Sequence, residues 1–175
     1  MKYYLLGRSG LRVSELALGA MSFGTEWGWG TEIDEARRML DLYIDNGGNF
    51  VDTASIYTNG SSEKMLEELL GQKRRQIVLS TKYTFSTHPG DPNGGGNHRK
   101  SMVRSVETSL QRLKTDCIDL LYLHIWDGTT PVEEILRAMD DLVRAGKVLY
   151  MGMSDTPAWQ ISRNPASRPS PHPTR

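Results

Sequence analysis

An α/β fold, part of a TIM (β/α)8 barrel with about five βα units behind an N-terminal β-hairpin, is the architecture this sequence predicts. Three observations predict it. Short strand patterns alternate strictly with helical patterns along the chain. The strand patterns are near-continuous apolar runs, as expected of parallel strands buried on both faces. Polar residues able to do chemistry stand at the C-terminal ends of successive strands, where barrels build their sites. A doubly wound open sheet also fits the alternation, but no GxGxxG fingerprint follows the first strand, which counts against it.

The elements follow in order. Apolar runs at 2–6 and 11–14, joined by Gly7-Arg8-Ser9-Gly10, predict a hairpin. Residues 15–18 with Gly19 predict the first core strand. A glycine- and tryptophan-rich loop at 20–30 follows, and its tryptophans, hard to leave in water, are read as a pocket wall. Thr31, with Asp34 three residues on, is expected to cap a helix whose apolar face is Ala36, Met39, Leu40, Tyr43 and Ile44. Asn46-Gly47-Gly48 ends it, and 49–52 form the second strand. Ser61 or Ser62 is expected to cap a helix carrying Met65, Leu66, Leu69 and Leu70, with Gly71 at its end. Residues 77–82 are the third strand. The stretch 84–98 contains PGDPNGGG and is expected to be irregular. A helix with Met102, Val103, Val106, Leu110 and Leu113 leads to a strand at 118–125. Pro131 begins a helix whose expected core face is Val132, Ile135, Leu136, Met139, Leu142 and Val143, and 148–153 form the fifth strand.

Bulk properties narrow the function classes. The chain has 175 residues, enough for one domain with a real core. Lys and Arg total 21, as do Asp and Glu, so net charge gives no hint of nucleic acid or an anionic membrane as partner. Cys117 is the single cysteine, which rules out an internal disulfide. Its place at the start of an apolar strand predicts a small core residue. No apolar run approaches the ~20 residues of a membrane-spanning helix, and MKYYLLGRSG is not read as a signal peptide. The expectation is a cytoplasmic protein.

Four residues carry the chemistry. Asp52, Lys82 and His124 end three successive strands, and Tyr57 lies in the loop beyond Asp52. Each alone has a bland reading: a turn cap, a rim tyrosine, a solvated lysine, a core histidine. Together they suit the reduction of a carbonyl by hydride, in which the oxygen gains negative charge and needs a proton donor. A phenol is a weak donor at its ordinary pKa of ~10. A neighbouring ammonium stabilises the phenolate, a carboxylate fixes that ammonium, and an imidazole hydrogen-bonds and orients the carbonyl. No metal is needed. Trp27, Trp29 and Trp126 suggest an aromatic-lined substrate pocket.

At this point the sequence resembles the aldo-keto reductase superfamily. GRSGLRVSELALGAMSFG is similar to the family's hairpin and first strand, and FVDTASIYTNGSSEKMLEELLG to its segment around the catalytic Asp and Tyr. IVLSTK, SLQRLKTDCIDLLYLH and GKVLYMGMSD also match, so the resemblance spans about 1–160. It implies a TIM barrel that uses NADP(H) to reduce small-molecule aldehydes and ketones. It carries the catalytic tetrad onto Asp52, Tyr57, Lys82 and His124, with Tyr57 as acid. It places Gly19, Ala20, Met21 and Asp52 along the nicotinamide side. The Ser-Asn pair that binds the carboxamide corresponds to Ser154-Asp155. Trp27, His124 and Trp126 are the expected substrate contacts.

Residues 161–175 change character, rich in Pro, Ser and Arg, and are expected to be a disordered tail. Five βα units do not close an eight-stranded barrel. The expectation is therefore a C-terminally truncated member, from a truncated or frameshifted coding sequence, with impaired activity and self-association through exposed strand edges. A cofactor-sensing regulatory subunit of the same fold, or an inactive fragment, are the alternatives to an enzyme.

Overall fold

A computed structural model describes residues 1–162. Strands β1 (Tyr3–Leu5) and β2 (Arg12–Ser14) form the antiparallel hairpin, with Tyr3 opposite Ser14. Five parallel strands follow: β3 (Leu18–Gly19), β4 (Phe50–Asp52), β5 (Val78–Tyr83), β6 (Ile118–Leu123) and β7 (Val148–Met153). Their order in the sheet is their order in the chain. A doubly wound sheet reverses direction at a switch point, so this consecutive order is that of a barrel wall.

Helices α1 (Ile33–Asp45), α2 (Ser61–Leu70), α3 (Arg99–Leu113) and α4 (Val132–Arg144) connect the strands, and a short α5 (Ala158–Ser162) follows β7. The core lies between sheet and helices in two clusters. One gathers Leu40, Val51, Leu66 and Leu79 under α1 and α2; the other gathers Met102, Val106, Leu121, Leu123, Ile135 and Leu142 under α3 and α4. Val51 alternates with Asp52, and Leu121 and Leu123 with Tyr122. A strand's period of two therefore sends one set to the helices and leaves the other for the concave side. Among the described residues, no helix is long and apolar enough to cross a membrane.

Several local expectations are corrected. Thr31 forms a β-bridge with Phe23; the N-cap of α1 is Glu32, without a side-chain cap. Met39, at 42% exposure, and Val143 turn outward, so the buried faces of α1 and α4 are narrower than the apolar pattern implied. Neither Ser61 nor Ser62 caps α2, because left-handed Gly60 holds that position. The Ser61 hydroxyl donates to Glu26 instead. Of 15–19 only Leu18 and Gly19 pair as strand. Cys117 is half-buried rather than core, and Ile161 and Ser162 belong to α5 rather than to a tail. The remainder of the expected disordered tail lies outside the described residues.

Two anchors bear on the site. The Tyr43 hydroxyl accepts from Phe50 N at 3.0 Å and lies 2.7 Å from Leu16 O, which fixes the entry to β3 against β4. The loop 84–98 is irregular but fastened. Asn97 Nδ2 donates to Thr84 Oγ1 (2.9 Å) and to Ile125 O (3.0 Å), and Asn97 and Asp127 exchange backbone-to-side-chain bonds of 2.8 and 2.7 Å.

Candidate active site

Strand register brings the polar residues together. Asp52 pairs with both Gly19 and Ser80, while Lys82, two residues along β5, pairs with Tyr122. Positions 80 and 82 share a face, so Asp52 and Lys82 are diagonal neighbours on the concave side. Lys82 is 8% exposed. Its Nζ donates to Asp52 Oδ2 (2.5 Å), Thr53 O (2.8 Å) and the Tyr57 hydroxyl oxygen (3.3 Å). An ammonium has three hydrogens, and here each has an acceptor. Ser80 Oγ donates to the other Asp52 oxygen at 2.6 Å, fixing the carboxylate.

Tyr57 opens a turn (Tyr57–Gly60) with an uncommon backbone. Thr58 (φ 45°), Asn59 (φ 56°) and Gly60 (φ 92°) are successive left-handed residues. For the two that carry a Cβ this costs roughly 1–2 kcal/mol each, so surrounding bonds must enforce it. Buried Thr58 donates to Phe23 O at 2.6 Å and accepts from Ser62 N at 3.0 Å. Ser62 Oγ lies 2.7 Å from both Ala20 O and Thr53 Oγ1.

His124 stands beyond the end of β6, its amide donating to Tyr83 O at 3.1 Å. Its ring meets Tyr57 edge-on (centroids 5.7 Å apart) and Phe85 likewise (4.8 Å). Burial, with the Lys82 ammonium second, pushes the imidazole below its ordinary pKa against the opposing pull of Asp155 and Asp52. This shift favours the neutral ring. Its Nδ1 is buried and has no partner among the described residues.

A concave cavity of about 470 Å³ adjoins the tetrad, lined by Gly19, Asp52, Lys82, Tyr122, Met153 and Ser154 among others. A Cβ at Gly19 would meet nothing within 4 Å, so the missing side chain leaves open space there. Ala20 turns into the helix-side core, and Met21 is exposed. Ser154 lines the cavity. Asp155, left-handed at φ 37°, accepts from Trp126 N at 3.4 Å.

The tryptophans divide. Trp27 meets Tyr57 edge-on at 6.4 Å, so the 20–30 loop brings that indole to the tetrad, whereas Trp29 reaches only Trp27, tilted at 5.5 Å, and stands 51% exposed. Trp126 instead packs on Trp159 and on the core beneath α4. Phe85, Ser80 and Tyr122 were not singled out from the sequence. Ser80 and Tyr122 could have been found from strand parity with Lys82 and His124. Phe85 could not, because its place depends on how the irregular loop is fastened. Among the described residues no group of three or more His, Cys, Asp or Glu is placed to hold a metal ion.

The aldo/keto reductase family profile matches residues 15–169. The chain belongs to the aldo/keto reductase family. It is 50% identical to a norsolorinic acid reductase of Aspergillus flavus over 90% of this chain and 43% of that protein. It is 43% identical to an NADP(+) aryl-alcohol dehydrogenase of Phanerodontia chrysosporium over 88% of this chain and 44% of the other. Among solved structures, an aldo-keto reductase of Bacillus halodurans in its holo form superposes with a TM-score of 0.78 at 35% identity. That match covers 89% of this chain and 50% of the other. The chain thus spans less than half the length of these curated relatives, and its fold is the aldo-keto reductase barrel as far as the described residues extend.

Proposed function

We propose that this aldo/keto reductase chain serves the NADPH-dependent reduction of aromatic aldehydes or ketones to alcohols, with Tyr57 as proton donor. One observation carries the reading: the Tyr57 oxygen accepts from Lys82 Nζ. A phenol that accepts on its oxygen keeps its own O–H free to donate elsewhere. The same ammonium, held by Asp52 and Thr53 O, stands ready to stabilise the phenolate left behind.

The cavity residues fit the nicotinamide end of the cofactor. Gly19 leaves room for a flat ring, and the Ser154 hydroxyl supplies a partner for an amide. When bound there, NADPH supplies the hydride. The chain's own part is to hold the carbonyl oxygen between the Tyr57 hydroxyl and the neutral His124 ring, release one proton to it, and regain that proton from water. Atoms balance as aldehyde, NADPH and a proton giving alcohol and NADP+. Aromatic substrates are proposed because Trp27, Tyr57, Phe85 and His124 present ring edges and faces around that point. The names of two similar relatives, a norsolorinic acid reductase and an aryl-alcohol dehydrogenase, support this choice.

The test couples cofactor binding to turnover. NADPH should quench tryptophan fluorescence, and benzaldehyde should then oxidise it, followed at 340 nm. Tyr57→Phe should keep the quenching and lose turnover by about 100-fold or more. Quenching without turnover in the unaltered chain would support a cofactor-sensing role instead. Absence of both quenching and turnover in the unaltered chain would refute the proposal.

A further inference from the structure

We propose that Arg112 of α3, paired with Glu63 of α2, is a positioning residue for Tyr57. The functional half of this inference rests on the reductase reading above; the structural half does not.

Glu63 is 0% exposed, and a buried carboxylate is tolerated only when fully partnered. Thr81 Oγ1 donates to its Oε1 at 2.8 Å and Arg112 Nη1 to its Oε2 at 3.1 Å. The same Nη1 reaches Ser55 O at 2.7 Å. On the other side the guanidinium lies against Gly60, where an added Cβ would stand 2.4 Å from Cζ. Ser55 and Gly60 bracket Tyr57. One planar cation therefore touches both shoulders of the loop that presents the phenol. Ser55 N is also bonded to Lys82 O at 3.1 Å, which ties this shoulder to the strand that carries Lys82.

The loop needs such a brace because it is strained. Thr58 and Asn59 would relax toward ordinary backbone if released, and the phenol would swing away from Lys82 Nζ. Thr58 and Ser62 hold the loop toward Phe23 and Ala20, and Arg112 holds it from the α3 side. Glu63 balances the guanidinium, so the brace adds no net charge beside the Asp52–Lys82 pair.

Arg112→Lys tests the proposal, since it keeps a cation for Glu63 but removes the planar group that spans both shoulders. Backbone amide exchange at 55–60 should quicken by about 10-fold or more while β5 and β6 stay protected. In the turnover assay kcat should fall by about 10-fold or more, with KM and NADPH affinity within about 2-fold. Unchanged exchange at 55–60 would overturn the brace. So would exchange that quickens equally in β5 and β6, the mark of a general packing role. If kcat is unchanged while the loop exchanges faster, the positioning of Tyr57 is refuted. Should Arg112→Lys fail to fold, Arg112→Gln combined with Glu63→Gln keeps a neutral hydrogen-bonding pair but removes the planar group that spans both shoulders. It should give the same local exchange pattern, and unchanged exchange would overturn the proposal. An unaltered chain without turnover would sink the reductase reading alone, because the exchange measurement still decides the brace.

Discussion

Gly152 in β7 offers a perturbation whose size can be read from the structure. A Cβ there would lie 2.3 Å from Tyr122 Cε1 and 2.5 Å from Cδ1, where ordinary contact begins near 3.4 Å. The ring must retreat by about 1 Å, an overpacking of the kind that costs roughly 1–3 kcal/mol. Gly152 is not among the left-handed glycines, so alanine adds no backbone strain. Tyr122 lines the concave cavity and is only half-buried, so it can yield toward open space. The stability cost of Gly152→Ala should therefore fall near the lower end, about 1 kcal/mol. The larger effect should be on the cavity, which the displaced ring enters. NADPH quenching of tryptophan fluorescence should weaken by about 10-fold, corresponding to about 1.4 kcal/mol. Urea unfolding gives the first quantity and the quenching titration the second. Adding Tyr122→Leu should restore the quenching. A Gly152→Ala chain with unaltered affinity, or one that Tyr122→Leu fails to rescue, would refute the claim that these two residues shape one wall of the cofactor site.

Other outcomes follow from the same geometry. Lys82→Met removes three donations at once but leaves Asp52 bonded to Ser80 and 28% exposed by side chain. It should cost about 1–3 kcal/mol in urea unfolding and lower turnover by about 100-fold or more. The depressed His124 pKa gives a signed pH dependence. The unfolded imidazole takes a proton near its ordinary 6.5 and the folded one resists, so stability falls as pH drops below 6.5. Unfolding midpoints measured between pH 7 and 5 should show this slope, and His124→Phe should flatten it. For Asp127, burial raises the carboxyl pKa, but donations from the Thr130 side chain and amide and from the Asn97 and Thr129 amides outweigh it and hold it well below the usual carboxylate range. Asp127→Ala should cost about 1–3 kcal/mol and speed amide exchange across 84–98. It should also broaden the NMR signals of the Phe85 ring.

Legibility of the fold was high where a physical period was involved. The alternation of strand and helix and the parallel strands follow from apolar runs and their spacing, while the barrel order rested on the polar strand ends and the absence of a GxGxxG fingerprint. The Asp52, Lys82 and His124 positions were visible because each ends such a run. What failed were local choices with near-equal alternatives. Thr31, Ser61 and Ser62 are good cap residues, yet each hydroxyl or backbone found other partners once the β3 loop and α2 were packed together. Met39 and Val143 fit a helical stripe by spacing, but a wall covers only the middle of that stripe. Trp126 stands two residues past His124 and would share its face in a strand, but β6 ends at Leu123, so the period of two no longer holds and the indole packs on the helix layer.

By itself the sequence determined the βα repeat, the strand ends and the chemical kinds of the four residues, because those depend on hydrophobic period and residue type. Only the tertiary structure decided which atoms meet. The 2.5 Å Lys82–Asp52 contact comes from the register that sets Asp52 opposite Ser80. The left-handed turn at Tyr57 persists through bonds from Phe23, Ala20 and Arg112, which are tens of residues away in the chain. Phe85 faces His124 because Asn97 and Asp127 fasten an otherwise irregular loop. Register and long-range hydrogen bonds are properties of packed elements, and no window of sequence contains both partners.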